Sequence, residues 1–326
     1  MFLSLYFTAA MLATAPQSPA PRPGALKTFG DWTVGCDNGL ECQAVALVPE
    51  NADRDSYLLM VLTRGARGET TRMGFALMDH VRAGRPYAIT VDGKPIARAV
   101  AAGKPPENAA DAVLDLDAKA LAALRNGKRA AIAGTKISAS LTGLAAALGY
   151  MDAQQARGTP ALPVVTLPPA SSRAPRTLPA ARALAALPSE ARTCDDPTND
   201  LKPEASRLDA RHSLVLIAHP CGNGAYNLFS TALIVDEAGR ATPARFDADP
   251  GMGGSEVGGS LVNAGWDART RRLGTFARAR GVGDCGTTQR YAWDGTRFRL
   301  VERMDMGECR GSTDFITTWR ARAVTR

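Results

Sequence analysis

The chain is poor in the groups that most enzymes rely on. It carries only 3 His in 326 residues, no Cys-x-x-Cys pair and no Gly-x-Ser-x-Gly elbow. Without the first spacing the common zinc patterns do not arise, and without the second there is no hydrolase-type serine turn. Beyond residue 15 no stretch approaches the roughly 20 apolar residues that a membrane helix needs. Lysine is also scarce. From Asp267 to Arg326 there are 13 Arg, 7 acids and no Lys, within a chain of formal charge +7. A basic face attracts anionic polymers, but these arginines alternate with acids and apolar residues and never form a block. Mutational bias of a GC-rich genome, which favours Arg over Lys, explains them better, and no nucleic-acid partner is expected.

Residues 2–15 (FLSLYFTAAMLATA) are apolar or small, uncharged, and end in Ala13-Thr14-Ala15, a small-x-small cleavage pattern. Residues 1–20 therefore read as a signal peptide, although its start lacks Lys or Arg and Pro16 follows the best cleavage point. After its removal the chain is expected to be soluble, in an oxidising compartment. There Cys36, Cys42, Cys194, Cys221, Cys285 and Cys309 should be bridged. Locality favours the pairs Cys36–Cys42, Cys194–Cys221 and Cys285–Cys309.

Seven prolines between Gly158 and Ser189 remove backbone donors and extend their neighbours. Residues 158–189 thus read as a semi-rigid linker or a draped loop between an N-terminal domain, 26–157, and a C-terminal domain, 190–326. The first reads as α+β. Thr33–Cys36 and Cys42–Val45 flank Asp37-Asn38-Gly39-Leu40-Glu41, a hairpin signal that sets Cys36 opposite Cys42. Tyr57–Leu62 reads as a strand buried on both faces, and Tyr87, Ile89 and Val91 alternate into a turn at Asp92-Gly93. Asp117 can cap a helix over 118–126, and Leu141, Leu144, Ala145, Leu148 and Met151 form the stripe of a helix over 141–156.

The second domain reads as an antiparallel β-meander, a sandwich or small barrel. Its strands are 214–218, 225–235, 242–246, 272–277, a hairpin 289–301, and 314–323. A two-residue turn at Asp294-Gly295 would pair Trp293 with Thr296, Tyr291 with Phe298 and Gln289 with Leu300. Arg290, Arg297 and Arg299 would then share the solvated face. The whole is mainly β with α+β character, stapled by disulfides.

Phe29-Gly30-Asp31-Trp32-Thr33-Val34 with Cys36-Asp37-Asn38 and Cys42 resembles the opening of a proteobacterial family catalogued as domain of unknown function 1176. Further landmarks are Met151-Asp152-Ala153-Gln154-Gln155 with Gly158-Thr159, Gly224-Ala225-Tyr226-Asn227, Gly281-Val282-Gly283-Asp284-Cys285-Gly286, Tyr291-Ala292-Trp293-Asp294-Gly295 with Phe298, and Thr317-Thr318-Trp319-Arg320. The opening is more loosely similar to the invasion-associated locus B family of small secreted proteins. The resemblance implies a periplasmic or secreted protein of Gram-negative bacteria and supplies no activity or site.

Candidate chemistry is thin. Gly281-x-Gly283-x-x-Gly286 matches a dinucleotide fingerprint in form, but a strand pattern follows where a helix is required and Cys285 sits inside it. No cofactor is expected. Asp247, Asp249 and Glu256 could present oxygens to Ca²⁺, and His212, His219 and Cys221 could be metal ligands, but neither spacing fits a known loop and no metal is expected. His80 and His212 read as surface or packing residues. Asp284 and Asp294 are conceivable acids of a glycan hydrolase, with Asp294 better explained as a turn residue. The sequence therefore points to a non-catalytic binding module with no assigned catalytic residue. Arg278, Arg280 and Asp284 beside the glycine turn are its candidate contacts. The partner is an unidentified periplasmic protein or an anionic envelope component. A cell-envelope hydrolase using Asp284, or a structural envelope factor without a ligand, are the alternatives. Native material denatured without reductant should take up no iodoacetamide on any of its 6 Cys, as read by intact mass; labelled thiols would contradict export.

Overall fold

In the computed structural model the described residues are 20–50, 52, 57–67, 69–76, 84–100, 112–158, 160–193, 201–251 and 260–325. Residues 1–19 of the expected signal peptide, His80, Cys194 and Glu256 lie outside them. Nearly all the regular structure is antiparallel β, with helices at Ala118–Asn126, Leu144–Gln155 and Ala180–Ala185.

The N-terminal part holds a six-stranded antiparallel sheet and a four-stranded one. The first runs in spatial order Lys27–Phe29, Trp32–Cys36, Cys42–Ala46, Leu59–Arg64, Arg72–Ala76, Ala112–Asp115. The second runs Ser138–Ser140, Arg129–Ile132, Pro86–Val91, Lys94–Val100. Trp32, Leu62, Met73, Phe75, Ile89, Leu124, Leu148 and Met151 fill one core between the sheets and two helices. Cys36 faces Cys42 in register, and the two are joined. Asp117 caps its helix by accepting from the Ala120 amide at 2.7 Å. The longer helix begins at Leu144, because Gly143 sits in the left-handed region at φ 94. A side chain there would meet the Phe29 carbonyl, which only glycine avoids. Ala147, not Ala145, completes the buried stripe.

The C-terminal part is a sandwich of two open sheets, so the barrel alternative is set aside among the described residues. One sheet orders Glu204–Arg207, His212–Ala218, Phe229–Asp236 and Ala241–Pro243, with Leu261–Val262 pairing the third. The other orders Gly265–Asp267, Arg272–Arg278, Gly286–Trp293, Phe298–Met306 and Ile316–Arg320. Leu214, Leu216, Ile234, Phe246, Leu273, Tyr291, Phe298 and Leu300 pack between them. Val215 and Ile217 face the other way, onto Leu178, Ala183, Leu187 and Ala191. The unbroken run Leu214–Ile217 thus has apolar cover on both sides.

Residues 160–191 lie over this sandwich. Val164–Leu167 pairs in parallel with Arg322–Thr325, and Val165 and Leu167 cover Ala292 and Val301. The expected strand 225–235 begins only at Phe229, since Gly224 bonds back to Asn227 in a turn. The hairpin register also differs from the sequence expectation. Trp293 pairs with Phe298 and Tyr291 with Leu300. The loop is two residues longer because the Asp294 carboxylate accepts from the Thr296 and Arg297 amides and the Thr296 hydroxyl. A shift of two preserves side-chain parity, so Tyr291, Trp293, Phe298 and Leu300 still share the inner face. Arg299, expected in solvent, instead meets the buried Asp247 at 3.0 Å.

The two parts of the chain are bolted together by side chains far apart in sequence. Arg310 donates to Asp31 at 2.6 Å and to the carbonyls of Gly30 and Val48. Arg320 reaches Asp37 and Glu41, while the Asn38 amide accepts from the Arg320 N–H and donates to its carbonyl. Val45, Leu47, Cys285, Met306 and Ile316 form a small apolar cluster at this seam. Replacing Arg310 by Ala removes three charge-assisted bonds, so unfolding in urea should show a loss of about 1.5–3 kcal/mol.

Candidate functional site

The inner face of the Arg272–Arg278, Gly286–Trp293 and Phe298–Met306 strands changes character along its length. Toward one end it presents Leu273, Tyr291 and Leu300 to the core. Farther along, Thr275 and Gln289 are buried but polar, and the face then opens as a groove. Its polarity depends on a bulge. Tyr291 pairs with Leu300 but Arg290 pairs with Glu302, so Val301 is an extra residue. One extra residue reverses the alternation. Phe298 and Leu300 face inward before it, and Arg303 and Asp305 line the groove after it.

Two open clefts make up the groove, with volumes of about 610 and 420 Å³. They share Ala279, Gly286, Thr287 and Arg303 and are therefore continuous. Pro23, Gly24 and Leu26 wall one end, Asp249 and Gly251 the other. Gln289 Nε2 and the Tyr291 hydroxyl both donate to the Asp249 carbonyl, fixing that wall. Asp305 accepts from Arg303 Nε, from Thr287 at 2.7 Å and from Thr318 at 2.6 Å. Arg303 spends only its Nε on this bond. Its terminal nitrogens have no partner among the described residues.

Arg278 stands on the groove's rim and has no carboxylate partner among the described residues. Its guanidinium lies 5.1 Å from the Phe276 ring centroid, a cation–π contact, and its buried Nε is unbonded. Asn227 brackets its backbone, donating to the Arg278 carbonyl and accepting from its amide. Arg280 and Asp284 are spent on each other: Arg280 Nε donates to Asp284 at 2.7 Å, and a second contact joins Nη2 to the other oxygen. That oxygen also accepts from the Gly311 amide at 2.7 Å. The pairing with Arg280, helped by Gly311, outweighs burial and holds the Asp284 carboxyl below the usual carboxylate range. A general acid needs the opposite shift. The glycine turn is clamped by Cys285–Cys309 and feeds a strand, not a helix. Gly286 at φ 138 could bear no side chain, because the Ala277 carbonyl stands where its Cβ would be.

The other candidates serve the fold. Cys221 is disulfide-bonded, with its expected partner Cys194 outside the described residues. His219 bonds Thr231 at 2.9 Å and is kept below its ordinary pKa by burial. Asp247 accepts from the Leu300 amide and meets Arg299, and Asp249 accepts from the Gly251 amide. No cluster of three metal-ligating side chains occurs among the described residues. A wider cleft of about 800 Å³ in the N-terminal part is lined by Arg64, Asp115, Asp117, Asp152 and Gln155. Most of its charges are engaged within the fold: Arg64 meets Asp152 at 2.8 Å, Arg72 meets Asp115, and Asp117 is a helix cap, which leaves Glu69 on its wall. Arg303, Thr287 and Gln289 were not among the sequence candidates, because the bulge that turns Arg303 inward leaves no mark in residue type.

The molecule is thus an oxidised, mostly antiparallel β protein, and no helix among its described residues is long and apolar enough to cross a membrane. Residues 26–325 match the family described as Protein of unknown function (DUF1176), and the chain belongs to it. It is 29% identical over 345 residues to the Uncharacterized protein YpfG of Escherichia coli (strain K12), covering 92% of each chain. The solved invasion associated protein b from Bartonella henselae aligns with 40% of this chain and 99% of its own, at 17% identity and a TM-score of 0.32.

Asp284 contributes stability that depends on pH. Its folded pKa lies below its unfolded value near 3.8, so the contribution is complete above that value and lost as pH falls through the folded one. Asp284→Asn should cost about 1–3 kcal/mol at neutral pH. Urea titrations from neutral pH down to about pH 2 should show that difference shrinking in acid.

Proposed function

We propose that this protein is a non-catalytic binding module of the bacterial envelope, periplasmic or secreted, and that the groove around Arg303 and Arg278 receives an anionic envelope component. The observation that carries the reading is Arg303, whose terminal nitrogens have no partner among the described residues and lie in the segment shared by the two clefts. A guanidinium fixed by one edge and free at the other is prepared for a bidentate carboxylate or phosphate. Arg278 adds a second cation without a carboxylate partner among the described residues. The groove is open and long compared with a single small ligand, which suits a segment of polymer better than an enclosed metabolite. Its disulfides suit an oxidising compartment, in line with the leader-like residues 1–20.

Asp284 lends no support to the hydrolase alternative, since its carboxyl is engaged by Arg280 and Gly311. Purified lipopolysaccharide is the probe. Binding followed by calorimetry should weaken steeply as ionic strength rises to about 0.15 M. Arg303→Ala should lose about tenfold in affinity, roughly 1.4 kcal/mol, and Arg278→Ala a comparable amount, with both variants shown to be folded by circular dichroism. Salt-independent binding, or full affinity in both variants, would refute the groove.

A further inference from the structure

At the far end of the same sandwich, away from the groove, His212 begins its strand directly opposite Asp236. The Asp209 carboxylate holds His212 Nδ1 with both oxygens, at 3.0 and 2.9 Å. Asp209 is buried and takes three further bonds: from the Arg211 and His212 amides and from Trp293 Nε1 at 2.7 Å. Burial alone would push this carboxyl up, but these bonds outweigh it and keep it ionised. The Trp293 ring also packs edge-on against the imidazole, with centroids 5.4 Å apart. Nδ1 therefore carries the proton and donates it to Asp209. Nε2 is left as the ring's uncommitted nitrogen, with no partner among the described residues.

His212 and Trp293 line a cavity of about 160 Å³ with Asp236, Arg240, Arg245 and Thr296. That volume is far below the roughly 300 Å³ at which pockets begin to hold drug-sized ligands; it suits one small polyatomic ion. The charged groups around it are unevenly matched. Asp236 is engaged by Arg240 Nε at 3.2 Å and by the Arg240 amide. Asp294, on the adjoining turn, is spent on the Thr296 and Arg297 amides. Glu237 is taken by Arg207 at 2.6 Å. Arg245 has no carboxylate partner among the described residues, and the terminal nitrogens of Arg240 are free there. Two guanidinium groups and a carboxylate-oriented imidazole thus meet at one small cavity.

We infer that His212, Arg240 and Arg245 form a seat for a single tetrahedral oxyanion, a sulfate or phosphate group free or as the head of an ester. An imidazolium, balanced by Asp209, donates from Nε2 to an anion oxygen beside the two guanidinium groups. This seat does not depend on the Arg303 groove.

With only 3 His in the chain, nitrogen-15 spectra of the imidazoles report on His212 directly. The probe is inorganic sulfate, which keeps its charge from about pH 5.5 to 8, against chloride at matched ionic strength. Sulfate at about 20 mM, above millimolar dissociation constants, should shift the His212 resonances where chloride leaves them in place. Arg245→Ala, on the exposed rim, should weaken binding by about tenfold while leaving the Nδ1–Asp209 bond visible in the same spectra. Phenyl phosphate binding more tightly than inorganic phosphate would assign the seat to an ester, and the reverse order to the free ion. His212 resonances unmoved by sulfate, or an unaltered Arg245→Ala variant, would each overturn the inference.

Discussion

Asp37 has no exposed side-chain surface, and its carboxylate is divided between two tasks. One oxygen accepts from the Gly39 and Glu41 amides and shapes the loop of the Cys36–Cys42 hairpin. The other meets Arg320, from the last long strand of the chain. Asn38 then pairs with the Arg320 backbone as a neighbouring strand would. A buried carboxylate without its partner is strongly unfavourable, so the hairpin and the final strand require each other. The groove depends on this seam, because Pro23, Gly24 and Leu26 form one of its walls and the C-terminal sheet its floor.

Asparagine side chains do the same work at a second place. Asn227, in the turn that delays its strand, brackets the Arg278 backbone as Asn38 brackets Arg320. Asn263 donates to Asn227 Oδ1 and to the Phe276 carbonyl, extending the contact. Each arginine is located through its main chain, and its guanidinium is left to be spent separately. For Arg320 it is spent inside the fold; for Arg278 it lies over an aromatic ring at the edge of an open groove. Fixed arginines differ from flexible surface ones in what they can recognise, since less freedom is lost when a ligand arrives.

Local features were legible in the residues. Asn38-Gly39 between two cysteines announced the first hairpin, Asp117 its helix cap, and the run Leu214–Ala218 a strand. Alternation correctly put Tyr291, Trp293, Phe298 and Leu300 on one face. The pairing was misjudged by two residues because Asp294 folds its loop through side-chain bonds that a two-residue turn signal does not include. Arg299 was misplaced because Asp247, its partner, lies 52 positions earlier. The seam could not be read at all: its bonds join residues about 280 apart, and no periodicity links them. Arg280 and Asp284 were noticed for lying beside the glycine turn, and what they do there is hold that turn to Gly311.

The extra residue at Val301 carries a consequence for how such a protein could diverge. Deleting that single codon would remove the bulge and leave the pairing beyond it intact, so that Arg303 and Asp305 would still face Gln289 and Thr287 across the concave surface. What would go is the Val301 side chain, which packs on the other face with Val165, Leu167 and Ala292. The strand can therefore change length by one residue at this point without altering the charge of the recess, and related chains that differ in length here can still share a binding partner.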